Sequence, residues 1–268
     1  MLWKPWEGRM APFKIFGNLY FIGTRPASTH LIDTGDGLLI LDSGYQESLY
    51  LVLENMRQLG FDPQNIRWII HSHGHIDHSG ATTALLNLVP NIKTYIGAED
   101  CDMVTGAKPT VWAKELNMEF NPFTPDVLIN DGDRLTFGNT TFECMASPGH
   151  TPGAFSFFWN AIGDDGRVLR AGTMGGAGMN TIASKYIHEY HLEAEDWRGR
   201  FKETLLKCRS QHCDMFIGNH VGQNDTPGKY KRLLAGETDA FIDPTEWNRA
   251  IDSFQRNYDK TIAEDPLV

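Results

Sequence analysis

The chain has 268 residues, 41% of them hydrophobic and 22% charged, which is a globular composition with enough length for one large core. No Pro/Gly/Ser-rich or charge-blocked linker divides it, so a single domain over 1–268 is predicted. A formal net charge of −10, with no dense Lys/Arg cluster, argues against a nucleic-acid backbone as partner.

The stretch Met1-Leu2-Trp3-Lys4-Pro5-Trp6-Glu7-Gly8-Arg9 lacks the apolar segment of a secretory signal, and no apolar run reaches membrane-span length. The four cysteines, Cys101, Cys144, Cys208 and Cys213, form no CxxC pair and are sparse for a disulfide scaffold. A cytoplasmic, reduced protein with no membrane partner is the expectation. The sequence leaves the oligomeric state open.

Lys14-Ile15-Phe16 and Leu19-Tyr20-Phe21-Ile22 read as strands joined at the turn dipeptide Gly17-Asn18. His30-Leu31-Ile32 and Leu38-Leu39-Ile40-Leu41 predict a second hairpin around Asp36-Gly37. Leu49, Val52, Leu53, Met56 and Leu59 then recur at helical spacing, with Gly60 suited to the position after the helix. Arg67-Trp68-Ile69-Ile70 is a buried-strand candidate, followed by a helix through Ala84, Leu85 and Leu88 that Pro90 stops. Further strands are predicted at Val127-Leu128-Ile129, Thr141-Phe142-Glu143-Cys144, Ala154-Phe155-Ser156-Phe157-Phe158 and Met215-Phe216-Ile217, with a helix around Leu205 before the last. From about Pro244, Trp247, Ile251 and Phe254 share one helical face, the pattern of a packing helix. Strand-rich halves, each closed by helices, predict an α/β fold in which two sheets pack together between helices.

The chemistry concentrates in His71-Ser72-His73-Gly74-His75-Ile76-Asp77-His78-Ser79-Gly80. Zinc takes neutral imidazole nitrogens and carboxylate oxygens that converge at about 2 Å. Residues two apart in an extended loop point the same way, so His73 and His75 can share one ion, while Asp77 and His78 reach a second. The remaining ligands must come from distant chain. His150, in Pro148-Gly149-His150-Thr151-Pro152-Gly153, and His220, in Gly218-Asn219-His220, are the candidates. A solvated histidine-rich loop is the bland alternative, but this tract holds an acid, follows a buried-strand pattern and is bracketed by Gly74 and Gly80.

His73-x-His75-x-Asp77-His78, the Pro-Gly-His-Thr-Pro-Gly run and the late histidine together resemble the metallo-β-lactamase superfamily over essentially the whole chain. Ala11-Pro12-Phe13-Lys14-Ile15 ahead of Gly17-Asn18-Leu19-Tyr20, and the helix after His220, are most similar to the third subclass of class B β-lactamases. The resemblance implies an αβ/βα sandwich of two mixed β-sheets flanked by helices. It implies two zinc ions, one held by His73, His75 and His150, the other by Asp77, His78 and His220. His71 is assigned to the strand end as structural.

Two departures from the family bear on substrate. Thioesterases of the glyoxalase II kind and acyl-homoserine lactonases carry a Gly-Asp pair whose carboxylate bridges the metals, whereas this chain has Arg170-Ala171-Gly172-Thr173-Met174-Gly175. The absent acid argues for the β-lactamase subclass. That subclass shows Ser-x-Ser where Thr173-Met174-Gly175 stands here, so one hydroxyl at most remains for a substrate carboxylate. Losing such a contact costs about 1–3 kcal/mol of binding, and β-lactam turnover is expected to be weak.

The expected mechanism is attack on a substrate carbonyl by hydroxide formed between two zinc ions roughly 3.5–4 Å apart. Asp77 is the candidate catalytic residue, a ligand that also orients the nucleophile. The expected partner is a small molecule with a carbonyl, a lactam, lactone or ester. A lactonase or other ester or thioester hydrolase is the alternative within the fold, and a non-catalytic metal-binding relative the alternative outside enzymes. Thr173, His188 and His191 are candidate substrate contacts. Asp42, in Leu41-Asp42-Ser43-Gly44, is either a hydrogen-bond partner of a ligand histidine or a turn residue. Trp112, Phe120 and Phe123 either lid the cleft or pack in the core. The glycines from Gly172 to Gly178 lack phosphate-loop spacing and are read as close packing against the site.

Overall fold

At Gly17 the chain turns with φ +50°, and a Cβ there would stand 1.8 Å from the Ile162 carbonyl oxygen, so only glycine fits. The turn joins β1 (Phe13–Phe16) to β2 (Leu19–Phe21). A computed structural model describes residues 4–108 and 119–267. β3 (His30–Asp33) and β4 (Leu38–Leu41) continue the antiparallel ladder, with His30 opposite Leu41. α1 (Leu49–Gln58) crosses over, Gly60 follows it at φ +86°, and β5 (Ile66–Ile70) pairs parallel to β4. After α2 (Ile76–Ser79) and α3 (Thr82–Leu88), β6 (Lys93–Gly97) joins in parallel; α4 (Cys101–Val104) precedes β7 (Val127–Ile129), which closes a seven-stranded mixed sheet in order β1 to β7.

The second sheet is built from β8 (Arg134–Phe137), β9 (Thr140–Ala146), β10 (Phe155–Ile162) and β11 (Val168–Thr173), antiparallel in that order. α5 (Ser184–Glu189) and α6 (Trp197–Arg209) lead to β12 (Met215–Phe216), which pairs parallel to β11 and completes five strands. α7 (Thr226–Leu234) and α8 (Glu246–Glu264) end the described chain.

Alternation along the strands sorts the apolar side chains into three layers. Leu39, Leu41, Ile70, Phe142, Phe157 and Trp159 belong to the central core between the sheets. Ile40, Ile69, Val52, Met56 and Leu85 pack the first sheet against α1 and α3. Phe158, Phe216, Phe201, Trp247 and Ile251 pack the second against α6 and α8. Leu38–Leu41, buried at all four positions, has no solvent face because sheet neighbours and layers cover it on every side. The architecture is the expected α/β sandwich of two mixed sheets flanked by helices.

The predicted hairpins and helices lie where expected, whereas β6, β8 and β11 had no counterpart in the sequence reading. Trp112 lies outside the described residues; Phe123 is buried with Ile96 and Val104, a packing residue, and Phe120 is half-buried. No helix among the described residues is long and apolar enough to cross a membrane.

Candidate metal centre

Parallel strands β4, β5 and β6 end on one side of the first sheet, and the segments after them bring functional groups to that edge. After β4 the chain turns at Asp42 with φ +61°. After β5 it runs through His71, His73 and His75 into α2, which carries Asp77 and His78. The second sheet contributes His150 between β9 and β10, and His220 just past β12.

Six side chains meet there. His73, His75 and His150 each offer a ring nitrogen within 4.8 Å of the others, and the ring nitrogens of His73 and His78 and a carboxylate oxygen of Asp77 form a second group as close. His75 Nδ1 is 3.1 Å from His150 Nε2. His220 Nε2 lies 3.2 Å from His78 Nε2 and 3.4 Å from Asp77 Oδ2, and His78 Nε2 is 3.2 Å from the same oxygen.

Four of the rings are held by their outer nitrogens. His78 Nδ1 lies 2.8 Å from Asp42 Oδ2, His150 Nδ1 3.1 Å from the Gly178 carbonyl, His220 Nδ1 2.8 Å from the Pro26 carbonyl, and His73 Nδ1 3.1 Å from Ser72 Oγ. Anchoring one nitrogen outward fixes the ring and presents the other inward, the arrangement metal-binding histidines use. His73 Nε2 is buried with no hydrogen-bond partner among the described residues. An orphaned buried nitrogen facing three other imidazoles is costly unless a cation satisfies it, so the donor set fits a metal.

The electrostatics of four of the rings agree. Burial first, then the neighbouring imidazoles, holds His73 and His75 well below the ordinary histidine value. Burial lowers His150 to about 4 despite Asp77, and lowers His220 as well. Neutral imidazoles are the form that binds metal. Burial would also lower His78, but the carboxylates of Asp77 and Asp42 outweigh it and push this ring up to about 10. Burial alone would raise Asp77; His78 and His220 hold it far below the ordinary carboxylate value.

A cleft of about 630 Å³ opens over these groups. Gly176, Ala177, Gly178 and Asn180 form one part of its wall, Asn219 and Gln223 another, and Ala250, Ser253, Phe254 and Asn257 a third. The last four stand on α8, which is more than the packing helix its sequence suggested. The glycine run does pack against the site, since a Cβ on Gly176 would meet His150 Cδ2 at 2.4 Å.

The three expected substrate contacts lie outside the cleft lining. Thr173 ends β11 with its side chain buried and is not among the residues lining the cleft. His188 is exposed and paired with Glu193 at 2.8 Å, and His191 is exposed in a left-handed turn at φ 55°; neither lines the cleft. Their helical segment turns Tyr186 and Ile187 inward instead. His71 is tied at both nitrogens, 2.9 Å from the Tyr95 carbonyl and 2.7 Å from Thr82 Oγ1. Asp42 and a second buried carboxylate, Asp100, brace the loops. Asp100 follows β6, which the sequence reading did not identify, so nothing pointed to it there.

Comparison with known proteins matches the profile of the metallo-beta-lactamase superfamily to residues 22–207. A hydroxyacylglutathione hydrolase from Thermosynechococcus vestitus is 32% identical over 113 residues, 42% of this chain and 36% of that protein. The chain spans between 31% and 59% of the length of the first curated relatives it matches. Among solved structures, a point variant of the FEZ-1 metallo-beta-lactamase from Legionella gormanii is 26% identical at TM-score 0.86, covering 96% of this chain and 97% of that one. BJP-1, a subclass B3 metallo-beta-lactamase of Bradyrhizobium japonicum, shares the fold at TM-score 0.87 and 23% identity, with 97% of each chain covered. By its matched profile, its two-sheet sandwich and its histidine cluster, the chain belongs to the metallo-beta-lactamase superfamily.

Proposed function

We propose that the protein is a dinuclear zinc hydrolase acting on a small carbonyl substrate, most like a β-lactamase. His73, His75 and His150 would hold one ion, and Asp77, His78 and His220 the other. The observation that carries this reading is the set of inward-facing ring nitrogens whose opposite nitrogens are anchored outward, at Asp42, Gly178, Pro26 and Ser72. When bound, the zinc pair supplies a water of lowered pKa and an electrophile for the carbonyl oxygen.

The chain's own groups do the rest. Asp77, whose Oδ2 lies within 3.4 Å of both His78 Nε2 and His220 Nε2, would accept a hydrogen bond from the nucleophile and orient it. Phe254 and Ala250 cover the apolar part of a bound substrate, while Asn180, Gln223, Ser253 and Asn257 supply uncharged hydrogen-bonding groups.

Amide or lactam cleavage is favoured because Thr173 stands where a bridging acid would be expected in the lactonase and thioesterase branches. The hydroxyacylglutathione hydrolases among the relatives support ester or thioester hydrolysis as the second reading. Steady-state hydrolysis of β-lactams, lactones and thioesters, with protein of measured metal content, separates the two. Turnover of β-lactams above the other classes is expected. A preference for lactones or thioesters would reverse the order.

A further inference from the structure

Asp100 is a fully buried carboxylate with no part in the chemistry just described. It ends the short 3-10 turn Ala98–Asp100 beyond β6. Its Oδ2 accepts from the Gly74 N–H at 2.8 Å and from Thr151 Oγ1 at 2.7 Å, and its Oδ1 accepts from the Gly153 N–H at 2.7 Å.

The addresses of those donors matter. Gly74 is the residue between His73 and His75, and Thr151 is the residue after His150. One side chain is therefore bonded to both stretches of chain that supply the trio His73, His75 and His150, one leaving the first sheet and the other belonging to the second. The fit is close enough to dictate sequence nearby. A Cβ on Gly153 would stand 2.4 Å from the Asp100 nitrogen and 2.9 Å from its Cγ, and a Cβ on Gly97 would stand 2.0 Å from the Gly153 carbonyl oxygen.

Burying a carboxylate is unfavourable, and an apolar residue of similar size usually serves stability as well or better. What an apolar residue cannot do is grip two loops through three directional hydrogen bonds. We propose that Asp100 is a positioning residue for the first metal set, holding the His73–His75 loop and the His150 loop at the separation that lets their ring nitrogens converge. This rests on the reading that those three histidines share an ion.

The test uses the full chain carrying Asp100→Ala, Asp100→Asn, Thr151→Val or Thr151→Ser. Zinc affinity at each site is measured by competition with a chromophoric chelator, beside the thermal midpoint of the metal-free protein. First-site affinity should fall about 10–100-fold in Asp100→Ala, and less in Asp100→Asn and Thr151→Val. Thr151→Ser keeps the hydroxyl and should keep the affinity. The second site, braced by Asp42 instead, should hold zinc as before. The lost kcat should return with excess zinc, which a purely structural defect would not allow. Unchanged affinity at both sites in folded Asp100→Ala, with only a lower thermal midpoint, overturns the proposal. If that variant does not fold, the Thr151 pair decides: equal affinity in Thr151→Val and Thr151→Ser overturns it, and a gap between them supports it. His150→Ala measured alongside keeps the two readings apart, since full zinc retention there refutes the ligand assignment itself.

Discussion

Asp42 Oδ2 lies 2.8 Å from His78 Nδ1, and the same carboxylate accepts from the Ser72 N–H and Ser72 Oγ, each at 2.7 Å. The residue thus steers His78 directly and His73 through Ser72, from a left-handed backbone position at φ +61° that few residues other than Asn, Asp and Gly adopt readily. Asp42→Asn preserves the turn and one acceptor but offers an amide where an anion faced the ring. Zinc affinity at the second site is expected to drop about 10-fold in Asp42→Asn and up to about 100-fold in Asp42→Ala. Chelator competition reads both, and an Asp42→Ala protein holding two zinc ions at wild-type affinity would refute the role.

His150 is the second sheet's contribution to the first trio, 3.1 Å from His75 through its Nε2. His150→Ala removes that nitrogen and leaves His73 and His75 as an incomplete set. Metal analysis after dialysis should show loss of the first-site ion, and turnover should fall with it. Retained stoichiometry with full turnover would contradict the assignment.

The cleft face of α8 offers a different kind of change. Ala250, Ser253, Phe254 and Asn257 follow the helical i, i+3, i+4, i+7 rule and wall the cleft, while Trp247, Ile251 and Tyr258 point into the core. Ser253→Ala and Asn257→Ala touch no ligand candidate, so zinc content and thermal midpoint should stay put. KM, or the ranking among substrates, should shift by a few-fold, in keeping with loss of about 1 kcal/mol per uncharged hydrogen bond. Kinetics identical to wild type across the substrate panel would show that this wall is not in contact with substrate.

How much of this was legible beforehand follows from the range of the forces involved. Gly17-Asn18, the apolar run Leu38–Leu41 and the spacing of Leu49, Val52 and Met56 are local signals, and each produced the expected element. The His73–His78 tract was legible because ligand spacing is itself local. β6 and β11 were not, because β6 opens on Lys93-Thr94 with few apolar residues, Arg170 interrupts β11, and both strands owe their stability to neighbours on both sides. Asp100 went unseen for the same reason, since its three donors lie 26 to 53 residues away. His188 and His191 lie near the glycine run along the chain, but chain proximity says nothing about which side chains reach the cleft, and neither lines it. Tertiary packing sets the orientation of α5, whose Tyr186 and Ile187 are buried in the core beside α6 and α8.

Acid should destabilise the metal-free protein. Burial lowers His30 to about 4, with Asp42 pulling the other way, against an ordinary value of 6.5. The unfolded chain takes up this proton at pH 6.5 while the folded chain resists until about 4. The contribution to stability is therefore complete above 6.5 and is lost as pH falls through that window. Each such ring adds about 1.4 kcal/mol per pH unit of slope inside its window. His30→Leu should make the fall in unfolding free energy between pH 6.5 and 4 shallower by about one proton, as read from denaturant midpoints across that range. An unchanged slope would mean that His30 is protonated in the fold.

Gly176 gives the sharpest steric test of the site. It lies in the glycine run beyond β11, at a φ that any residue can adopt, so backbone strain plays no part in its requirement. Space does. A Cβ would stand 2.4 Å from His150 Cδ2 and 2.7 Å from His150 Cβ and Cγ, contacts that real Cβ atoms do not make. Something must move, and the imidazole has little freedom, with Nδ1 held to the Gly178 carbonyl at 3.1 Å and Nε2 facing His75. Gly176→Ala should therefore push His150 off its hydrogen bond and lower first-site zinc affinity by about 10-fold or more, a loss comparable to removing a partner that orients a ligand. Gly222, which lines the same cleft and where an added methyl would meet no atom within 4 Å, is the control, and Gly222→Ala should bind zinc normally. Equal affinities in the two variants would mean that His150 does not need its present position to hold metal.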